Sequence, residues 1–124
     1  MAAYDARTFS YADFSGRGPA AVYEGSGVPK PDLAAPGVRV TAPVPGGSYR
    51  EFTGTSFATP FVTGSAALLM EWGIIRGNDP YLYGEKVKAY LRRGARELPG
   101  FDEWPNSQLG YGVLCVSDSL PGRV

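Results

Sequence analysis

Histidine is absent from the 124-residue chain. No imidazole within it can therefore serve as general base, proton shuttle or metal ligand. Cysteine is nearly absent: Cys115 has no second thiol to pair with, and its place in the run Gly112-Val113-Leu114-Cys115-Val116 reads as a small buried hydrophobe. Neither sign of charge is in excess, with 12 basic against 12 acidic side chains, which withholds the electrostatic footprint of a nucleic-acid or anionic-membrane binder. Long apolar runs are missing too; nothing approaches the roughly 18 continuous apolar residues of a membrane span. The opening Met1-Ala2-Ala3-Tyr4-Asp5 lacks the charged-then-apolar build of a secretory signal. No carboxylates fall at calcium-ligand spacing, so neither a metal nor another cofactor is expected.

Glycine and proline are plentiful, at 17 and 11 residues, in a chain that is still 44% apolar. That composition is too hydrophobic for disorder and has no collagen period, so it reads as an α/β protein with elaborate connections. The length fits one modest domain or a piece of a larger one, able to bury roughly two-thirds of its unfolded surface. No internal repeat and no second domain stand out. Strands are expected at Ala2-Ala3-Tyr4, at the edge Tyr11-Ala12-Asp13-Phe14 and at Val38-Arg39-Val40-Thr41. The last is entered through Pro36-Gly37 and left through Pro43, Pro45, Gly46 and Gly47, while Ser15 to Pro19 and Glu24 to Pro31 read as loops.

From Thr55 to about Trp72 the pattern turns helical: Ala58, Phe61, Val62, Ala66, Leu69 and Met70 recur at three- and four-residue spacings, and Gly64, Ser65 and Ala67 keep the remainder slim. A helix of this kind reads as a buried central one. Pro60 is tolerated only in a first turn, which puts the start near Ser56. Asp79-Pro80 reads as cap and first residue of a second helix, with Leu82, Val87, Tyr90 and Leu91 inward and Gly94 as its stop. Its other side, Glu85, Lys86, Lys88, Arg92 and Arg93, reads as a solvated face. A short apolar strand follows Gly110-Tyr111-Gly112, and Ser117 is placed to cap a final turn.

The chemistry concentrates at Ser56. A serine in the first turn of a helix sits among unpaired backbone N–H groups at the positive end of the dipole, where an oxyanion forming beside its hydroxyl is stabilised. On local features alone, a plain N-cap is the favoured explanation. Gly54-x-Ser56-x-Ala58 nearly matches the nucleophile elbow of α/β-hydrolases, but no histidine follows it, and Thr59 stands where a Ser-x-x-Lys arrangement needs its lysine.

Four motifs in order go further. "GTSFATP", continued by Phe61-Val62-Thr63-Gly64 and an alanine-rich helix, resembles the signature around the nucleophile of subtilisin-like serine proteases. "KPDLAAPGV" from Lys30 to Val38 and "FSGRGP" from Phe14 to Pro19 resemble stretches upstream of that serine, and "LGYGVLCV" from Leu109 to Val116 resembles the segment that closes such domains. The resemblance spans essentially the whole chain. It implies the C-terminal portion of a subtilisin-like α/β fold, residues 1–124 forming part of one catalytic domain, with a parallel sheet flanked by helices and the nucleophile at the N-terminus of a buried helix.

It also implies roles. Ser56 is the nucleophile, its N–H one oxyanion donor; Thr55 and Gly54 support that hole; Phe52 walls the leaving-group side; Ser15 and Gly16 belong to the substrate cleft. Asp32 is structural, and Phe61, where relatives often carry a non-catalytic histidine, is a packing variation. The triad of such enzymes runs Asp, His, Ser along the chain. Only 55 residues precede Ser56, and the asparagines, Asn78 and Asn106, both follow it, so the Asp- and His-bearing half and the oxyanion asparagine are expected outside the chain. The implied activity is a serine endopeptidase, inert in this piece alone; the alternative is a non-catalytic subtilase-like module that binds a peptide or partner. Implied partners are a peptide or protein substrate and the upstream half of the same domain, with self-association of the isolated piece. "TPFVTGSAALLMEWGI" and "NDPYLYGEKVKAYL" further resemble the germination subtilases of spore-forming clostridia, some of them pseudoproteases, which implies a secreted, cell-envelope or spore-associated bacterial protein.

Overall fold

Small residues set the sheet. In the computed structural model, which describes residues 1–19 and 29–122, strand β1 (Ala2–Asp5) is the middle of three. β2 (Ser10–Tyr11) pairs with it antiparallel and β3 (Ala34–Pro36) parallel, in the register Ala2↔Ala34, Ala3↔Ala35, Tyr4↔Pro36. Val113 adds a parallel bridge to Ala34. Because alternate side chains take opposite faces, Ala2, Tyr4 and Ala34 pack with Leu98, Leu109 and Val113. Ala3 and Ala35 meet Ala12 and Ala58 on the other side.

That alanine layer lets helix α1 (Thr55–Met70) lie close to the sheet through Ala58, which is fully buried. Gly37 completes the layer: a Cβ there would stand 2.6 Å from the Ala3 Cβ and 2.9 Å from the Gly54 carbonyl oxygen, so only hydrogen fits. The Gly37 N–H donates to Tyr4 O at 3.1 Å and the Gly54 N–H to Gly37 O at 2.8 Å, which stitches the helix start to the carboxyl end of the parallel pair. Beyond Met70 the helix continues as a π-helical segment, Glu71–Ile75. A second cluster joins Leu33 and Leu69 to Leu82, Val87 and Leu91, seating α2 (Gly84–Arg93) against α1; α3 (Val116–Ser119) closes the chain as a single turn.

Several expectations shift. Arg39 adopts φ 51, which breaks the alternation, so the third expected strand begins two residues later as β4 (Val40–Val44) and runs on through Pro43. It forms a two-stranded ribbon with β5 (Ser48–Phe52), where a missing proline N–H does no harm because an outer edge needs no donor. The early edge strand is Ser10–Tyr11 rather than 11–14. Helix α2 starts at Gly84 because Asp79 is occupied in a turn, its carbonyl accepting Leu82 N–H at 3.2 Å. Residues 112–116 make isolated bridges through Val113 in place of a strand, Ser117 lies inside α3 and caps nothing, and Cys115 is half-buried. The loop expected from Glu24 falls, as far as Val28, outside the described residues.

Two corrections concern α1 itself. Pro60 sits in its second turn, not its first; the absent N–H leaves the Ser56 carbonyl without its helical donor. The helix is buried along one line only, Ala58, Ser65 and Leu69, while Phe61 and Leu68 are 42% and 56% exposed. Its apolar residues surround the axis, and a single sheet face covers only part of such a surface. Together with the π-helical segment it spans Thr55–Ile75, 21 residues with a mean hydropathy of 1.2, long and apolar enough by length and composition to cross a membrane, contrary to the sequence-based expectation. A core helix has the same composition.

Candidate active site

Ser56 is exposed on the second residue of α1. The N-cap is Gly54, with φ 156 and ψ 159, a backbone state essentially confined to glycine, and no side chain caps the helix. The plain N-cap explanation of Ser56 is thereby removed. Phe57 N–H is taken by Gly54 O at 3.1 Å, whereas the N–H groups of Thr55 and Ser56 have no partner inside the helix. No acidic residue occupies the first turn, so nothing offsets the positive end of the dipole there. Among the described residues none hydrogen-bonds the Ser56 hydroxyl. The neighbouring threonines turn inward along the helix, Thr59 Oγ1 donating to Thr55 O at 3.1 Å and Thr63 Oγ1 to Thr59 O at 3.2 Å.

The approach to Ser56 is held on both sides. Phe52 stacks on Phe57 with ring centroids 4.8 Å apart and 18° between planes, placing its face beside the residue that follows the serine. Arg39 N–H donates to Thr53 Oγ1 at 3.0 Å, and its guanidinium lies 3.6 Å from the carboxylate of Asp5. The backbone N–H of Arg7, then the Arg39 charge, hold the Asp5 carboxyl below the usual carboxylate range. Arg7 reaches Glu51 at 3.0 Å, so the ribbon is tied to the end of β1.

Ser15 holds its loop from within. It is buried, its Oγ accepts Ala3 N–H at 3.0 Å, and Tyr11 OH donates to its carbonyl. The hydroxyl is spent on anchoring the loop to β1. Gly16 beside it is exposed, with open space where a Cβ would stand. Asp32 accepts from Lys30 Nζ at 2.8 Å and from Arg92, with Lys88 Nζ at 3.9 Å. Burial opposes its ionisation, but the Lys30 and Arg92 hydrogen bonds outweigh this and hold the carboxyl below its ordinary range. Arg92, expected on the solvated face of α2, is instead drawn over the Tyr111 ring at 5.0 Å.

The N–H groups beside the exposed Ser56 hydroxyl can stabilise an oxyanion forming next to it, and among the described residues no base contacts that hydroxyl. Sequence reasoning missed the β4–β5 ribbon that flanks it. The signal was present: Gly46-Gly47 followed by Tyr49-Arg50-Glu51-Phe52 is a hairpin pattern. Among the described residues no group of three or more Asp, Glu, His or Cys is placed to hold a metal ion.

The model of the subtilase family matches residues 2–112. Serine protease AprX of Bacillus subtilis is 34% identical over an alignment covering 90% of this chain and 26% of that protein. The Clostridium perfringens CspB protease superposes with a TM-score of 0.88 at 42% identity, over 95% of this chain and 25% of the other. The prenylagaramide maturation protease PagA gives 0.71 at 34% identity, over 95% and 39%. The chain thus spans about a quarter of the length of AprX and CspB. With the motifs, the fold and the helix-borne serine in agreement, the chain belongs to the subtilase family.

Proposed function

We propose that this chain carries the serine-bearing part of a subtilase peptidase centre. Ser56 Oγ attacks a peptide carbonyl, its proton passing to a base supplied by polypeptide outside these residues. The Ser56 N–H, held in place by Thr55 and Gly54, donates a hydrogen bond to the oxyanion; the amine then leaves with that proton, and water resolves the acyl-enzyme. The observation that carries this is the unpaired, exposed Ser56 hydroxyl at an uncapped helix N-terminus free of acidic residues. Phe52 and the exposed Gly16 loop bound the cleft. The substrate is a peptide or protein.

The remaining polypeptide docks on the uncovered side of α1 and in the groove of about 650 Å³ between α1, Leu33 and α2. Alone, the chain exposes that apolar surface and self-associates; light scattering showing a monodisperse monomer would contradict this.

The decisive experiment is fluorophosphonate labelling of the full-length polypeptide, beside the isolated chain and a Ser56→Ala control. Labelling of the full-length protein alone, abolished by the substitution, is the expected result, because losing a triad member costs several orders of magnitude in rate. A folded full-length protein that does not label would transfer the assignment to a non-catalytic peptide-binding module.

A further inference from the structure

Along β5 alternate residues share a face, so Arg50 and Phe52 lie on one side and Tyr49 and Glu51 on the other. Glu51 is engaged by Arg7 at 3.0 Å. On the opposite side the Arg50 guanidinium stands 5.1 Å from the centroid of Phe52, and Phe52 stacks at 4.8 Å on Phe57, the residue after Ser56. A column of cation, ring and ring therefore runs from the exposed face of the ribbon to the residue that follows Ser56. Arg39, just before the ribbon, is answered by Asp5 at 3.6 Å; among the described residues Arg50 pairs with no carboxylate. A guanidinium resting on an aromatic face keeps its N–H edge available for a bidentate carboxylate. Since the chain's 12 basic and 12 acidic residues cancel, selectivity by charge has to arise from such local placement rather than from an overall field.

We infer that Arg50 is a specificity-determining residue: it selects an acidic side chain at the peptide position that crosses the Phe52–Phe57 stack. This rests on the peptidase reading. The test uses the full-length protein and internally quenched peptides carrying Glu, Gln or Lys in turn at each position flanking the scissile bond. At one position Glu raises kcat/KM over Gln by about two- to fivefold, the size of an exposed ion pair. Arg50→Gln abolishes the difference, Arg50→Glu reverses it in favour of Lys, and Arg50→Lys retains part of it. Equal Glu-to-Lys ratios in the parent and Arg50→Glu, with Ser56 labelling intact, overturn the role of Arg50 and leave the peptidase reading standing. Absence of both labelling and cleavage overturns the peptidase reading and this inference with it.

Discussion

Helices α1 and α2 pack against each other, yet they are built on opposite plans. In α2 the apolar residues Val87 and Leu91 lie on one face, both buried, and charged side chains occupy the rest, some of them recruited by Asp79 and Asp32. The apolar face of α2 is packed against Leu33, Leu69 and Leu82 of this chain. In α1 apolar residues encircle the axis, three positions are buried, and Phe61 and Leu68 face outward. The difference separates what folds the chain from what makes it useful. Ser56 sits on the helix whose apolar surface the described residues cover only in part.

The sharpest way to break that contrast lies within α1, at two adjacent leucines. Leu69 is fully buried against Leu33, Leu82 and Leu91, so Leu69→Ala leaves a cavity and lowers unfolding free energy by about 3 kcal/mol. Leu68 is 56% exposed, so Leu68→Ala changes stability by about 0.5 kcal/mol or less while reducing self-association. Urea unfolding and light scattering on both variants read the two effects separately. Similar stability losses at the two positions would show that the outer side of α1 is covered within this chain.

How much could be read beforehand follows the same division. Strand β1, the helix over Thr55–Met70 and the inward set Leu82, Val87, Tyr90 and Leu91 follow from periodicity, because their neighbours are supplied by this chain. Ser56 was singled out because its motif combines a glycine turn with a helix start. The ribbon partner β5 was missed because proline and glycine on both sides of it read as loop, whereas an exposed two-stranded ribbon tolerates them. Periodicity also promised a buried α1; it reports how apolar a helix is, and coverage depends on what else is present. The motif around Ser15 marks a loop without saying how it is held, which takes a hydroxyl that accepts the Ala3 N–H at 3.0 Å and so ties the loop to β1.

A middle-sized effect is expected where the helix start meets the sheet. Gly37→Ala would put a methyl 2.6 Å from the Ala3 Cβ and against the Gly54 carbonyl, and neither backbone nor strand side chain can swing away. Overpacking of this kind costs about 1–3 kcal/mol. It also displaces Gly54, whose N–H is bonded to Gly37 O at 2.8 Å, so in the full-length protein fluorophosphonate labelling should slow more than stability alone explains. Full-rate labelling in a destabilised Gly37→Ala protein would mean that the nucleophile's position does not depend on that stitch.

The smallest effect tests the α2 side. Asp32 joins the start of β3 to α2 through Lys30, Arg92 and Lys88, and its carboxyl titrates below the ordinary value of 3.8 in the folded chain. A depressed folded value means that the unfolded chain takes up the proton first as pH falls. The contribution of Asp32 is therefore fully present above the unfolded value, about pH 4, and is lost as pH drops through the folded one. Because the pair is partly exposed, Asp32→Asn should cost about 1 kcal/mol at neutral pH. The gap between parent and variant should narrow below about pH 4 as the parent carboxyl becomes neutral too. Asp5, Asp79 and Asp118 are also held below their usual range, so the parent alone declines in acid for several reasons, and only the difference curve isolates Asp32. A difference that persists unchanged into strong acid would assign Asp32 a role in shape rather than charge, and α2 would then owe its seating to Val87 and Leu91 alone.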